Sequence, residues 1–109
     1  MRRVLPQRRP AETFDLWFWN QSFSVTIGFY PSGEVGEVFI DGGKTGQDVQ
    51  STARDAAVVL SLALQHGVSP ETIRHAVTRG ASEEPASILG VVVDSITTRS
   101  FWGGVSDGC

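Results

Sequence analysis

Ser22-Phe23-Ser24-Val25-Thr26-Ile27-Gly28-Phe29 alternates small or polar residues with large apolar ones along its whole length. A two-residue period is the repeat of an extended chain, so this stretch reads as a strand with Phe23, Val25, Ile27 and Phe29 on one face. The same period runs upstream, where Phe14, Leu16 and Phe18 alternate with Asp15, Trp17 and Trp19. Asn20-Gln21 reads as the short connection between the two runs. Downstream, Pro31-Ser32-Gly33 makes a turn, and Glu37 to Asp41 forms a third strand with Val38 and Ile40 on one side. These runs make an antiparallel meander. Its apolar face is too large to be left wet, so helices must cover it.

Beyond Gly42-Gly43-Lys44-Thr45-Gly46 the period becomes helical. Asp48 is the expected N-cap, and Val49, Ala53, Ala56, Leu60, Ala63 and Leu64 recur at helical spacing until Gly67 stops the helix. Ser69 caps a second helix, with Pro70 first and Glu71 at the positive end of the dipole, and this helix is expected to reach Gly80. Ser82 to Pro85 is expected to start a third, running through Ile88, Leu89, Val92 and Val93 to about Ile96. The predicted fold class is α+β, an N-terminal three-stranded antiparallel meander packed against about three C-terminal helices. It occupies one domain at residues 11–98, between a basic Pro/Arg arm at 1–10, expected to be extended and partly mobile, and an aromatic, Gly-rich tail at 99–109.

A chain of 109 residues has room for one hydrophobic core, and 40% apolar with 19% charged residues is an ordinary globular composition. The net charge of -3 gives no bulk attraction to nucleic acid. Basic charge is concentrated in Arg2, Arg3, Arg8 and Arg9, which are four of the nine basic residues. One cysteine, Cys109, rules out an intramolecular disulfide and an all-cysteine zinc site. The longest apolar-rich run, Ala53 to Leu64, is interrupted by Arg54, Asp55 and Ser61 and is too short to span a bilayer. The expected location is therefore cytoplasmic.

Gly43-Lys44-Thr45 between a strand and a helix invites comparison with a P-loop, but the position that loop requires as glycine is Val38. What remains is a generic anion site: the Gly42 to Gly46 amides, Lys44, Thr45 and a helix N-terminus carrying Asp48. The competing reading is a turn and nothing more. His66, near the end of the first helix, and His75, one turn from Glu71, have no metal-ligand spacing, so no metal or cofactor is expected. Arg54 and Asp55 read as a surface ion pair, and no hydroxyl has a paired base, so no catalytic residue is assigned. Trp17, Trp19 and Tyr30 lie off the main core face. Two tryptophans there call for a cover: the arm, the Phe101-Trp102 tail or, in preference, a second copy in a homodimer.

The segment from Glu37 to Asp48, a strand ending in Gly43-Lys44-Thr45-Gly46-Gln47-Asp48, resembles the TSCPD domain. So does the run from Ala53 to Val68, a helix closing in Leu64-Gln65-His66-Gly67, and the similarity extends to the opening Leu5 to Thr13 and to Pro85-Ala86-Ser87-Ile88-Leu89-Gly90. The resemblance implies kinship with a C-terminal appendage of adenosylcobalamin-dependent ribonucleotide reductases. Some members carry cysteines suited to metal binding, which this chain lacks. Ribonucleotide reduction itself needs several redox cysteines, and one thiol cannot supply them. The resemblance thus points to a non-catalytic accessory or regulatory module. It would bind a nucleotide or other phosphorylated small molecule at the Gly-Lys-Thr-Gly turn, with an aromatic or arginine stacked on the base. The alternative is a protein-interaction module or inhibitor, for example of phage or mobile-element origin, using Trp17, Trp19, Tyr30, Arg8 and Arg9.

Overall fold

A computed structural model of the chain describes residues 1–42 and 47–98; Gly43, Lys44, Thr45, Gly46, Phe101 and Trp102 lie outside the described residues. The order is β1 (Ala11–Phe18), β2 (Gln21–Phe29), β3 (Val35–Gly42), α1 (Gln47–Gln65), α2 (Pro70–Ala76) and α3 (Ile88–Thr98), an α+β fold. The three strands form one antiparallel sheet in the order β1-β2-β3. Phe23, Val25, Ile27 and Phe29 are all buried, as alternation requires. They meet Ala53, Ala57, Leu60 and Leu64 of α1 and Val92, Val93 and Ile96 of α3 in one core. Burying each of the larger of these side chains contributes roughly 1.5–3 kcal/mol.

The β1–β2 turn is displaced by one residue from Asn20-Gln21. Phe18 pairs with Gln21, which leaves Trp19 and Asn20 as the turn, both with positive φ (50° and 58°). Two left-handed residues make a tight hairpin whose twist matches the strands, and the shift keeps Leu16 opposite Phe23 on the core side. Asparagine suits such a position; tryptophan does not, because its Cβ crowds the backbone. β3 begins earlier than Glu37 because Gly36 is an extra residue: Glu37 faces Gly28 while Val35 faces Phe29. A Cβ on Gly36 would lie 2.5 Å from the Tyr30 ring and 2.7 Å from Leu5, so glycine permits that close packing.

The helices also depart from expectation at their ends. Asp48 is inside α1 rather than capping it. The buried stripe is Ala53, Ala57, Leu60 and Leu64, while Val49 is exposed and Ala56 only partly covered. Gly67 (φ 95°) ends α1 as expected, with its N–H donating to the Leu64 carbonyl and the Val68 N–H to the Ala63 carbonyl. Ser69 caps α2 by accepting from the Thr72 N–H, but α2 stops at Ala76, well before Gly80. Residues 80–84 turn back on themselves through Glu83 N–H to Gly80 and Gly80 N–H to Glu84, and Pro85 disfavours helix at the residue before it. α3 accordingly starts at Ile88, with the Ser87 hydroxyl accepting from the Gly90 N–H. The excursion is anchored by Arg79, which holds Asp94 of α3 with both guanidinium nitrogens.

α1 and the N-terminal arm are joined through Gln65. Its side-chain N–H donates to the Gly36 carbonyl (2.9 Å), its side-chain oxygen accepts from Arg2 (2.6 Å), and its backbone carbonyl accepts the Arg3 N–H (2.7 Å). One turn earlier, the Ser61 hydroxyl accepts from the Val38 N–H (2.8 Å) and donates to the Val38 carbonyl (3.0 Å). Helix side chains thus occupy the hydrogen-bonding positions of the β3 edge. The arm is extended but not loose: Arg3 lies over the Tyr30 ring (3.6 Å) and pairs with Glu34, and Arg9 pairs with Glu37.

Two outcomes follow from these contacts. Gln65→Leu leaves the Gly36 carbonyl without its donor and detaches the arm, so it is expected to lower stability by about 1–3 kcal/mol in urea melts and to speed tryptic cleavage after Arg3. The hydrogen bond and charge of Arg79 hold the Asp94 carboxyl below the usual carboxylate range, against the opposing effect of burial. A carboxyl whose folded value is depressed adds stability above its unfolded value of about 3.9, and that contribution is lost as pH falls through the folded value. Asp94→Asn is therefore expected to destabilise the protein by about 1–3 kcal/mol at neutral pH and to shrink the acid-induced loss, as read by pH-dependent thermal melts.

Candidate functional site

The Gly-rich turn is rooted in Gly42, whose φ of 113° belongs to glycine and whose Cβ position would lie 2.8 Å from the Ser22 carbonyl oxygen. Alanine is therefore excluded at Gly42 by both conformation and space. On one side of the turn, Asp41 pairs with Arg54 of α1 (2.9 Å). This replaces the expected Arg54–Asp55 pair, since Arg54 reaches back across the strand-to-helix connection. Arg54 holds the Asp41 carboxyl below the usual carboxylate range, and both side chains remain well exposed.

From this pair a groove of about 440 Å³ runs between the outer side of β3 and α1. Phe39, 55% exposed, forms one apolar wall, with Val58 and Leu62 on α1 opposite. Alternation makes Phe39 face away from Val38 and Ile40, and this was the signal available in the sequence for it. Arg54 stands at the turn end of the groove and Arg2 at the other, beside Gln65. Ser61 borders the groove, but its hydroxyl is engaged with both backbone groups of Val38. The groove is lined by an aromatic ring, apolar side chains, two guanidinium groups (Arg2 and Arg54) and two carboxylates (Glu37 and Asp41), with Arg54 already paired to Asp41.

The other sequence-predicted residues are dispersed. Asp48 lies in the first turn of α1. Tyr30 is buried, 5% exposed, and its hydroxyl donates to the Arg3 carbonyl, so it does not share an outer surface with the tryptophans. Arg9 is paired with Glu37 and also donates to the Pro6 carbonyl, whereas Arg8 is exposed. Trp17 and Trp19 are 69% and 76% exposed, the arm leaving them uncovered. His75 contacts Glu71 on α2 (2.9 Å), away from the groove, and no three His, Cys, Asp or Glu groups among the described residues converge on a metal position. A second cavity of about 420 Å³ lies between the arm and the α1–α2 junction, where Arg3 is paired with Glu34 and Glu71 adds a further acidic group. Among the described residues no helix is long and apolar enough to cross a membrane.

The family model of the TSCPD domain matches residues 2–96. A vitamin B12-dependent ribonucleotide reductase of Agrobacterium fabrum (strain C58 / ATCC 33970) is 30% identical over 89 residues, which is 82% of this chain and 7% of that enzyme. The chain thus spans a small fraction of this relative, and no solved structure gives a significant match. The match begins in the arm and takes in the whole meander and all but the last residues of α3, so the chain belongs to the TSCPD domain family.

Proposed function

We propose that this chain is a non-catalytic accessory or regulatory module, working in the cytoplasm, that binds a nucleotide or another phosphorylated small molecule. The observation that carries this reading is the groove beside β3, where the exposed Phe39 ring and the Arg54 guanidinium flank the root of the Gly-rich turn. Phe39 would stack on the base, Arg54 would leave Asp41 for the phosphate, and Lys44 with the turn amides would complete the anion site. Kinship with part of a ribonucleotide reductase makes a nucleotide the natural candidate. A regulatory role is favoured over catalysis because Ser61, the hydroxyl beside the groove, is committed to both backbone groups of Val38. The alternative of a protein-interaction module draws support from Trp17 and Trp19, which lie on the hairpin at the opposite edge of the sheet.

Calorimetric titration with ribonucleoside and deoxyribonucleoside triphosphates, and with inorganic pyrophosphate, tests the groove. Lys44→Ala is expected to weaken nucleotide binding roughly ten- to hundredfold, the effect of losing a charge-assisted contact of about 1.5–3 kcal/mol. Phe39→Ala is expected to weaken nucleotides while leaving pyrophosphate unchanged. Asp41→Asn, which releases Arg54 from its competitor, is expected to tighten both. Wild-type affinity in all three variants, or no heat with any nucleotide, would reduce the groove to a structural feature.

A further inference from the structure

The two edges of the sheet are treated differently. At β3, Ser61 and Gln65 occupy backbone positions that another strand would use. At β1, no further strand is present among the described residues, and the strand contains no proline, lysine or bulge to discourage one. The two-residue turn sets which backbone groups face outward. Phe18 opposite Gln21 closes the hairpin as a hydrogen-bonded pair, so Leu16 and Phe14 also bond inward to β2. The N–H and C=O groups of Thr13, Asp15 and Trp17 consequently point away from the sheet. Phe14, Leu16 and Phe18 are each only partly buried on the helix side of this margin. At the tip, Trp19 keeps an unfavourable backbone conformation and stacks on Phe18 (ring centroids 5.5 Å).

We propose that the occupant of the β1 edge is a second copy of this chain, paired antiparallel through β1 about a twofold axis. The charges on the strand select the register. Placing Asp15 opposite itself brings like charges together, and placing Phe14 opposite itself sets Glu12 against Leu16. With Leu16 opposite Leu16, Phe14 meets Phe18 of the second copy, Asp15 meets Trp17, and Glu12 falls beyond the paired strands. The inner face then becomes a continuous Phe-Leu-Phe row, while each Asp15 exchanges backbone hydrogen bonds with the opposing Trp17. Trp19 of each copy comes beside Thr13 of the other, which accounts for an aromatic residue at a hairpin tip. The tryptophans flank this seam; the backbone edge forms it. The result is a six-stranded sheet with both β3 grooves at its outer ends, and the pairing is independent of what the grooves bind.

Sedimentation equilibrium of the full chain at micromolar concentration is expected to give twice the 11.8 kDa chain mass. Asp15→Pro removes an outward N–H while sparing the bonds to β2, and is expected to weaken self-association at least about tenfold with the hairpin retained by circular dichroism. The register is read independently in a Cys109→Ser background. Leu16→Cys puts two thiols opposite each other at a non-hydrogen-bonded position, so mild oxidation is expected to cross-link it; Phe14→Cys, opposite Phe18, is expected to stay uncross-linked. A monomer at these concentrations overturns the proposal. So does a dimer in which Leu16→Cys fails to cross-link, or a purified monomer that takes up only a different protein at this edge.

Discussion

Gln65 is the buried polar side chain on which the remaining contacts converge. A primary amide out of water requires partners for its donors and its acceptor, because leaving one unmade costs about 1–3 kcal/mol. Here the side chain meets two separate parts of the chain, the Gly36 carbonyl in β3 and the Arg2 guanidinium in the arm, and the Gln65 backbone carbonyl takes the Arg3 amide as well. Satisfying this one residue therefore fixes the position of α1 along the sheet edge and ties down the N-terminus. The neighbours in Leu64-Gln65-His66-Gly67 have matching duties. Leu64 enters the core, and Gly67 turns the chain in a conformation that side chains disfavour. Three of the four residues of this run thus have a role in folding.

Because α1 is drawn to the β3 edge by Ser61 and Gln65, the sheet is covered asymmetrically. Small alanines at Ala53 and Ala57 let the helix approach closely, and the larger groups beside them, Phe39, Val58 and Leu62, are left along a groove. The same placement leaves β1 at the far margin with Phe14, Leu16 and Phe18 half covered. The groove beside β3 and the β1 edge, next to which no further strand lies among the described residues, are thus two consequences of one packing decision. They lie on opposite sides of the sheet, and a module could use them independently.

The period-two runs at 14–18 and 22–29 and the helical spacing from Ala53 to Leu64 were sufficient to read the meander, the order of elements and most of the core. That is because side-chain alternation and the 3.6-residue repeat are local consequences of backbone geometry. Helix ends were read well where a local device set them, as at Ser69 and Gly67. They were misread at Gly80 and at Ser82–Pro85, where Arg79 reaching Asp94 in α3 and the turn closed by Glu84 override the local pattern. The hairpin turn slipped by one residue because tryptophan is a poor predictor of a left-handed position.

The candidate site divides along the same line. That the chain bends within the Gly42–Gly46 run was legible from its glycines, as was the lysine of that turn, but not that Gly42 is a position requiring positive φ. The pairing of Arg54 with Asp41 in place of Asp55, the stacking of Arg3 on Tyr30 and the withdrawal of Tyr30 from the surface were not. Each brings together residues distant in sequence, and such contacts depend on where α1 and the arm come to rest. The sequence by itself determined which residues seek burial and where the chain must bend, since these follow from each residue's own chemistry and its near neighbours. Only the tertiary structure decided which sheet edge is closed, which aromatic stays exposed and which arginine pairs with Asp41, because those outcomes depend on how helix and sheet satisfy each other's buried polar groups.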